Sequence, residues 1–140
     1  MYQNKGSYLI LLFLKEPEEI SSRGKAWSLE TGYYLYVGSA MKSLSERVKR
    51  HLVERKKRHW HIDFLREKAE VVAVLLLPSE HRREEQLSRF VSNYGKQVPG
   101  FGATDCKTDS NLYKLESEGV ERVFSSIVLI WRDNCDSIFE

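Results

Sequence analysis

Ten Lys and Arg residues crowd into Lys42–Lys68 against four acidic residues, so this stretch carries +6. Its densest part, Arg55-Lys56-Lys57-Arg58, stands between Arg50 and Trp60. Cations packed this closely can neutralise successive phosphates of a nucleic acid and release its counterions, giving salt-sensitive affinity without base reading. A solvated charged loop is the other reading of such a run. His59-Trp60-His61-Ile62-Asp63 follows directly. If extended, it would put His59, His61 and Asp63 on one side, as a His-ligated metallohydrolase acting on a small molecule requires. The only other histidines are His51 and His81, and they do not complete such a set. The competing uses are phosphate contacts from His59 and His61, or packing by Trp60, Ile62 and Leu65.

The basic block is hidden in the total. Over 140 residues, 22 Lys and Arg against 20 Asp and Glu leave +2. Segments 1–41 and 69–103 each balance, while 104–140 carries −4. With 41% hydrophobic and 30% charged residues, the composition is that of an ordinary globular chain, and the length suits a single domain. The longest apolar run, Leu9–Leu14, is far short of the roughly 20 residues that span a bilayer. Cys106 and Cys135 are too few for a disulfide scaffold, and the N-terminus lacks the pattern of a secretory signal, so a cytoplasmic protein is expected.

Several elements must position these residues. Ser7–Leu14 is apolar but for its opening Ser7-Tyr8 and stops at Lys15-Glu16-Pro17, which predicts a central strand buried on both faces. Glu16–Lys25 reads as a polar connection, and Trp27–Val37 as a returning strand antiparallel to the first. Ser43 followed by Glu46 has capping-box spacing, so a helix begins there, with Leu44, Val48 and Leu52 as its buried stripe. A short helix within His59–Lys68, a strand over Glu70–Leu77 and a helix over about Glu80–Tyr94 follow, the last stopped by Gly95. Pro99–Cys106 reads as a turn-rich loop, and Val123–Trp131 as a late strand after a hinge at Glu118-Gly119. The pattern is α+β, a small, mainly antiparallel sheet flanked by helices.

Gly6-Ser7-Tyr8 in the first strand, Tyr36-Val37-Gly38 ending the second, an Arg in the next helix and a Glu in a later one resemble the GIY-YIG nuclease superfamily. Tyr36-Val-Gly-Ser-Ala40, His59-Trp-His-Ile-Asp63 and Pro99-Gly-Phe-Gly-Ala-Thr-Asp-Cys106 are similar to a branch of it found in archaea and some bacteria, sometimes fused to endonuclease-III-type repair enzymes. The likeness covers roughly Gly6 to Leu115 and implies a GIY-YIG-like core with a C-terminal strand extension over about 119–140. It also implies Arg47 and Glu84 as site residues. Helical geometry is compatible: at about 100° per residue, Arg47 and His51 lie one turn apart beside the apolar stripe, and Glu84 lies nearer the inward face than Glu85.

The resemblance implies hydrolysis of a DNA phosphodiester by in-line attack of water with one Mg²⁺ or Mn²⁺. Glu84 would anchor the metal as a hard oxygen ligand, and Arg47 would present a forked guanidinium to the phosphate. Tyr8 would be the general base; an unperturbed phenol has a pKa near 10, so it needs a nearby cation or the metal. Tyr36 and His51 would position water or phosphate. Lys42, Arg50, Arg55, Lys56, Lys57, Arg58, His59 and His61 would meet the DNA backbone with little sequence specificity, and a repair protein is an expected partner. One departure stands out: the branch usually continues past Cys106 with a further Cys and a Ser-His-Leu, where this chain has Thr108 and Asn111. A binding module with the same fold and no catalysis is therefore the alternative, because Asn cannot carry a proton near neutrality.

Overall fold

The computed structural model describes residues 4–53, 61–101 and 111–134. The apolar run forms β1 (Gly6–Leu14), in which every residue except Phe13 is buried. Its partner is β4 (Gly32–Ala40), antiparallel with Gly6 opposite Ala40 and Tyr8 opposite Gly38. On its other side β1 pairs antiparallel with β5 (Glu70–Pro78). Two short strands, β6 (Gly95–Gln97) and β7 (Leu112–Leu115), complete an antiparallel sheet ordered β5-β1-β4-β7-β6.

The stretch expected as a polar connection contains β2 (Glu18–Ser22), which forms a separate two-stranded sheet with β3 (Lys25–Leu29). The reason is local. Arg23 and Gly24 have φ of 51° and 80°, and two successive positive φ values make the tight turn whose twist matches a hairpin. The expected returning strand is accordingly split, with Glu30-Thr31 between β3 and β4.

Alternation along the sheet sends side chains to two cores. Tyr8, Ile10, Leu12, Tyr34 and Tyr36 face α1 (Leu44–Leu52), α2 (His61–Arg66) and the hairpin. Leu9, Leu11, Leu35 and Val37 face α3 (Glu84–Ser92) and α4 (Ser117–Asn134). Burial on both faces explains why β1 has no polar alternation.

Three helical expectations need correction. The buried stripe of α1 is Leu44, Val48 and His51, an i, i+4, i+7 series that leaves Leu52 37% exposed. Ser43 occupies the N-cap but makes no side-chain cap bond. Asn4 caps instead, its Oδ1 accepting from Ser45 N at 2.8 Å and its carbonyl from Leu44 N at 3.0 Å. The third helix begins at Glu84 rather than Glu80 and ends at Ser92.

The expected C-terminal strand is a helix. In α4, Val123 and Ile127 are fully buried, with Val120, Phe124 and Trp131 packed against the same cluster. That spacing follows a helical face, whereas strand alternation would align Leu129, 71% exposed, with buried Val123 and Ile127. Gly119 lies in the first turn of α4 and is no hinge; a Cβ there would press on the Tyr94 carbonyl. Among the described residues, no helix is long and apolar enough to cross a membrane.

Candidate active site

The site forms where the start of β1 and the end of β4, paired side by side, meet the helices on both faces. Tyr8 and Tyr36 point to the α1 side, and Ser39 points to the α3 side, as alternation on β4 requires. A cavity of about 610 Å³ opens there, lined among others by Tyr8, Tyr36, Ser39, Arg47, Glu84 and Asn111. Lys42, Arg50 and Arg82 add positive charge to its wall, and Glu46 a further carboxylate.

Gly38 sits opposite Tyr8 in the ladder. A Cβ at this position would collide with the Tyr8 ring carbon that bears the hydroxyl and with the hydroxyl itself. Glycine therefore lets the phenol lie flat across β4 and reach α1, where Tyr8 Oη and His51 Nε2 share a 2.8 Å hydrogen bond. Burial raises the Tyr8 phenol well above its ordinary value; Arg47 pulls it down by charge and hydrogen bonding, and Glu84 adds to the rise. Tyr36 is raised too, first by burial, then by Tyr8 and Glu84. Both are neutral phenols near neutrality in this state.

Glu84 is the first residue of α3 and only 12% exposed at its side chain. Its Oε1 accepts from the Ser39 hydroxyl at 2.6 Å and its Oε2 from Asn111 Nδ2 at 2.8 Å. Arg82 Nη1 lies 3.6 Å from Oε1. Arg47 reaches back to the same strand end, donating to the Ser39 carbonyl at 3.4 Å. Glu85, one residue on, faces Arg89 at 3.9 Å and does not line the cavity.

The family described as domain of unknown function DUF123 matches residues 7–130. The chain belongs to that family. No curated protein and no solved structure matches it. The DUF123 match takes in every described residue of the cavity wall and continues past Leu115 through most of α4, so that helix is part of the family's domain.

Not every residue expected at the site of this DUF123 domain is there. His51 lies behind Tyr8, 2% exposed, and touches the cavity through the phenol. His61 is elsewhere: its Nδ1 is 2.7 Å from Ser22 Oγ, and its ring packs against Trp27 and Phe101. Burial, with Lys25 and Arg23 nearby, lowers its pKa, which makes it a poor phosphate cation. Asp63 meets Arg50 and His51 instead of joining His61, because α2 is a helix and the two side chains diverge. Among the described residues no cluster of three or more His, Cys, Asp and Glu is placed to hold a metal ion. Arg55, Lys56, Lys57, Arg58, His59 and the Cys106 loop lie outside the described residues.

Ser39, Asn111 and Arg82 were not expected as site residues. Ser39 had a usable signal, since it follows Gly38 on the strand and alternation turns it to the face opposite Tyr36 and Tyr8. Asn111 entered the sequence reading only as a departure from a pattern.

Proposed function

We propose that this domain is a metal-dependent DNA endonuclease of GIY-YIG type, hydrolysing phosphodiesters in DNA repair. The observation that carries the reading is the meeting of Tyr8, Tyr36, Arg47 and Glu84, from four separate elements, around one cavity. A cationic rim of Lys42, Arg50 and Arg82 suits a polyanion held by its backbone, with little sequence specificity.

The donor set fits a hard cation. Glu84 is a single carboxylate whose oxygens each retain acceptor capacity beyond the bonds from Ser39 and Asn111. Mg²⁺ and Mn²⁺ bind through one or two carboxylates together with waters and substrate phosphates, unlike zinc, which takes three or four protein ligands. When bound, such an ion stabilises charge on the phosphate and the leaving oxygen. Ser39 and Asn111 hold the Glu84 carboxylate in place. Arg47 grips the phosphate with its planar guanidinium and favours the Tyr8 phenolate. Tyr8, relayed to His51, takes the proton of the attacking water, and Tyr36 orients that water.

Supercoiled plasmid incubated with the protein and Mn²⁺ or Mg²⁺ tests the reading. Nicking that stops when the metal is chelated supports it. Salt-sensitive binding to duplex, flap and branched DNA without cleavage selects the alternative, a DNA-binding module with the same fold; absence of binding removes both.

A further inference from the structure

We infer that Asp63 is a positioning residue for this reaction, holding His51 in the tautomer whose Nε2 accepts the Tyr8 proton. The inference rests on the nuclease reading for its catalytic consequence, but its structural half stands apart. Asp63 is 0% exposed, on α2, one element away from the cavity wall. A carboxylate removed from water this completely is strongly destabilising unless it is paired. Arg50 pairs it, with Nη1 at 3.1 Å from Oδ1 and 3.2 Å from Oδ2.

His51 lies between Asp63 and Tyr8. Its Nδ1 is 3.9 Å from Asp63 Oδ1, and its Nε2 is 2.8 Å from Tyr8 Oη. At 3.9 Å the first contact is electrostatic rather than a hydrogen bond. A ring-nitrogen lone pair turned toward a carboxylate would be repelled in so dry a setting, whereas an N–H there is attracted. The proton of neutral His51 therefore sits on Nδ1, and the Nε2 lone pair faces the Tyr8 hydroxyl.

The attacking water gives its proton to the Tyr8 oxygen as the Tyr8 proton passes to Nε2. The resulting hydroxide bonds to phosphorus, the bond to the leaving oxygen breaks, and that oxygen takes a proton from solvent. His51 is left as an imidazolium beside Asp63 and later releases its proton to water. Among the described residues, the groups around His51 are Tyr8 on β1, Tyr36 on β4 with ring centroids 5.9 Å apart, Asp63 on α2, and Arg47 and Arg50 on its own helix. Arg50 offsets part of the Asp63 charge, so the carboxylate's effect on His51 falls at the low end of the range for an adjacent charge, about one pH unit.

Nitrogen NMR of the imidazoles in wild type, with His51→Gln for assignment, reads the tautomer directly. A proton on Nδ1 is expected; a proton on Nε2 overturns the inference without any substitution at Asp63. In Asp63→Asn the His51 titration midpoint falls by about one pH unit, the acid limb of the nicking profile moves down with it, and kcat drops roughly 10-fold with KM unchanged. An unmoved His51 midpoint in folded Asp63→Asn overturns the inference. A midpoint that falls in Asp63→Asn, together with a wild type that nicks no DNA, supports the hold on His51 and overturns the nuclease reading instead.

Discussion

Asn111 donates a 2.8 Å hydrogen bond from Nδ2 to Glu84 Oε2, so the residue that departs from the expected histidine is bonded to the acid at the centre of the site. The link spans the sheet: Asn111 precedes β7, its carbonyl accepts from Val37 N on β4, and its own N–H donates to the Phe101 carbonyl. Its backbone is therefore fixed on both sides, and its side chain is aimed at the first residue of α3.

Asn111→Ala leaves Glu84 with one neutral donor fewer. A stability loss of about 1.5–3 kcal/mol in urea unfolding is expected, the usual worth of a hydrogen bond to a charged group. Metal-dependent nicking should fall at least about 10-fold, because the carboxylate is no longer held from both sides. Activity equal to wild type would remove Asn111 from the positioning of Glu84.

Gly38→Ala tests the close approach of Tyr8. The new methyl has no room beside the phenol, and overpacking of this kind costs about 1–3 kcal/mol. Denaturant unfolding should show that loss, and the Tyr8–His51 contact should be broken in the variant's structure. A variant as stable as wild type with Tyr8 unmoved would contradict the account of why glycine stands there.

Much of this was legible beforehand, and the failures share a physical cause. β1 was plain because the eight residues Ser7–Leu14, without polar alternation, admit few other readings. Glu84 was separable from Glu85 because adjacent helix positions differ by about 100°. Val123–Trp131 misled because its β-branched and aromatic residues outweighed its spacing: Val120, Val123, Phe124, Ile127 and Trp131 recur at a helical period, and they join the cluster that holds Leu115 and Val91. β6 and β7 span only Gly95–Gln97 and Leu112–Leu115, too short for any periodicity to register. Asn4 as a cap, and His51 and Asp63 as neighbours, depend on contacts distant in sequence, which local spacing does not encode.

The buried phenols predict alkaline behaviour. Tyr8 and Tyr36 are raised by burial above an ordinary value near 10, and Tyr34 is pushed up to about 12 by burial and by Glu30. Since the unfolded phenols ionise first, stability is intact below pH 10 and is lost as pH rises through the folded values. Tyr8 and Tyr36 should each remove roughly 1.4 kcal/mol per pH unit within that window. Of seven tyrosines, these three should show tyrosinate absorbance only as the protein unfolds; their titration near pH 10 in the folded state would refute the burial argument.

The cationic rim predicts salt dependence. Lys42 lines the cavity, so Lys42→Ala should weaken binding to all duplex sequences alike. It should also lower the slope of log affinity against log salt by about 1. An unchanged slope would place the backbone contact elsewhere on the protein.

The most direct measurement is Mn²⁺-dependent nicking of supercoiled plasmid by wild type and by Glu84→Gln, which keeps the side chain's size and removes its charge. Nicking by wild type and a loss of at least about 100-fold in the variant are expected, with DNA binding retained. Undiminished nicking by Glu84→Gln would contradict the role given to Glu84.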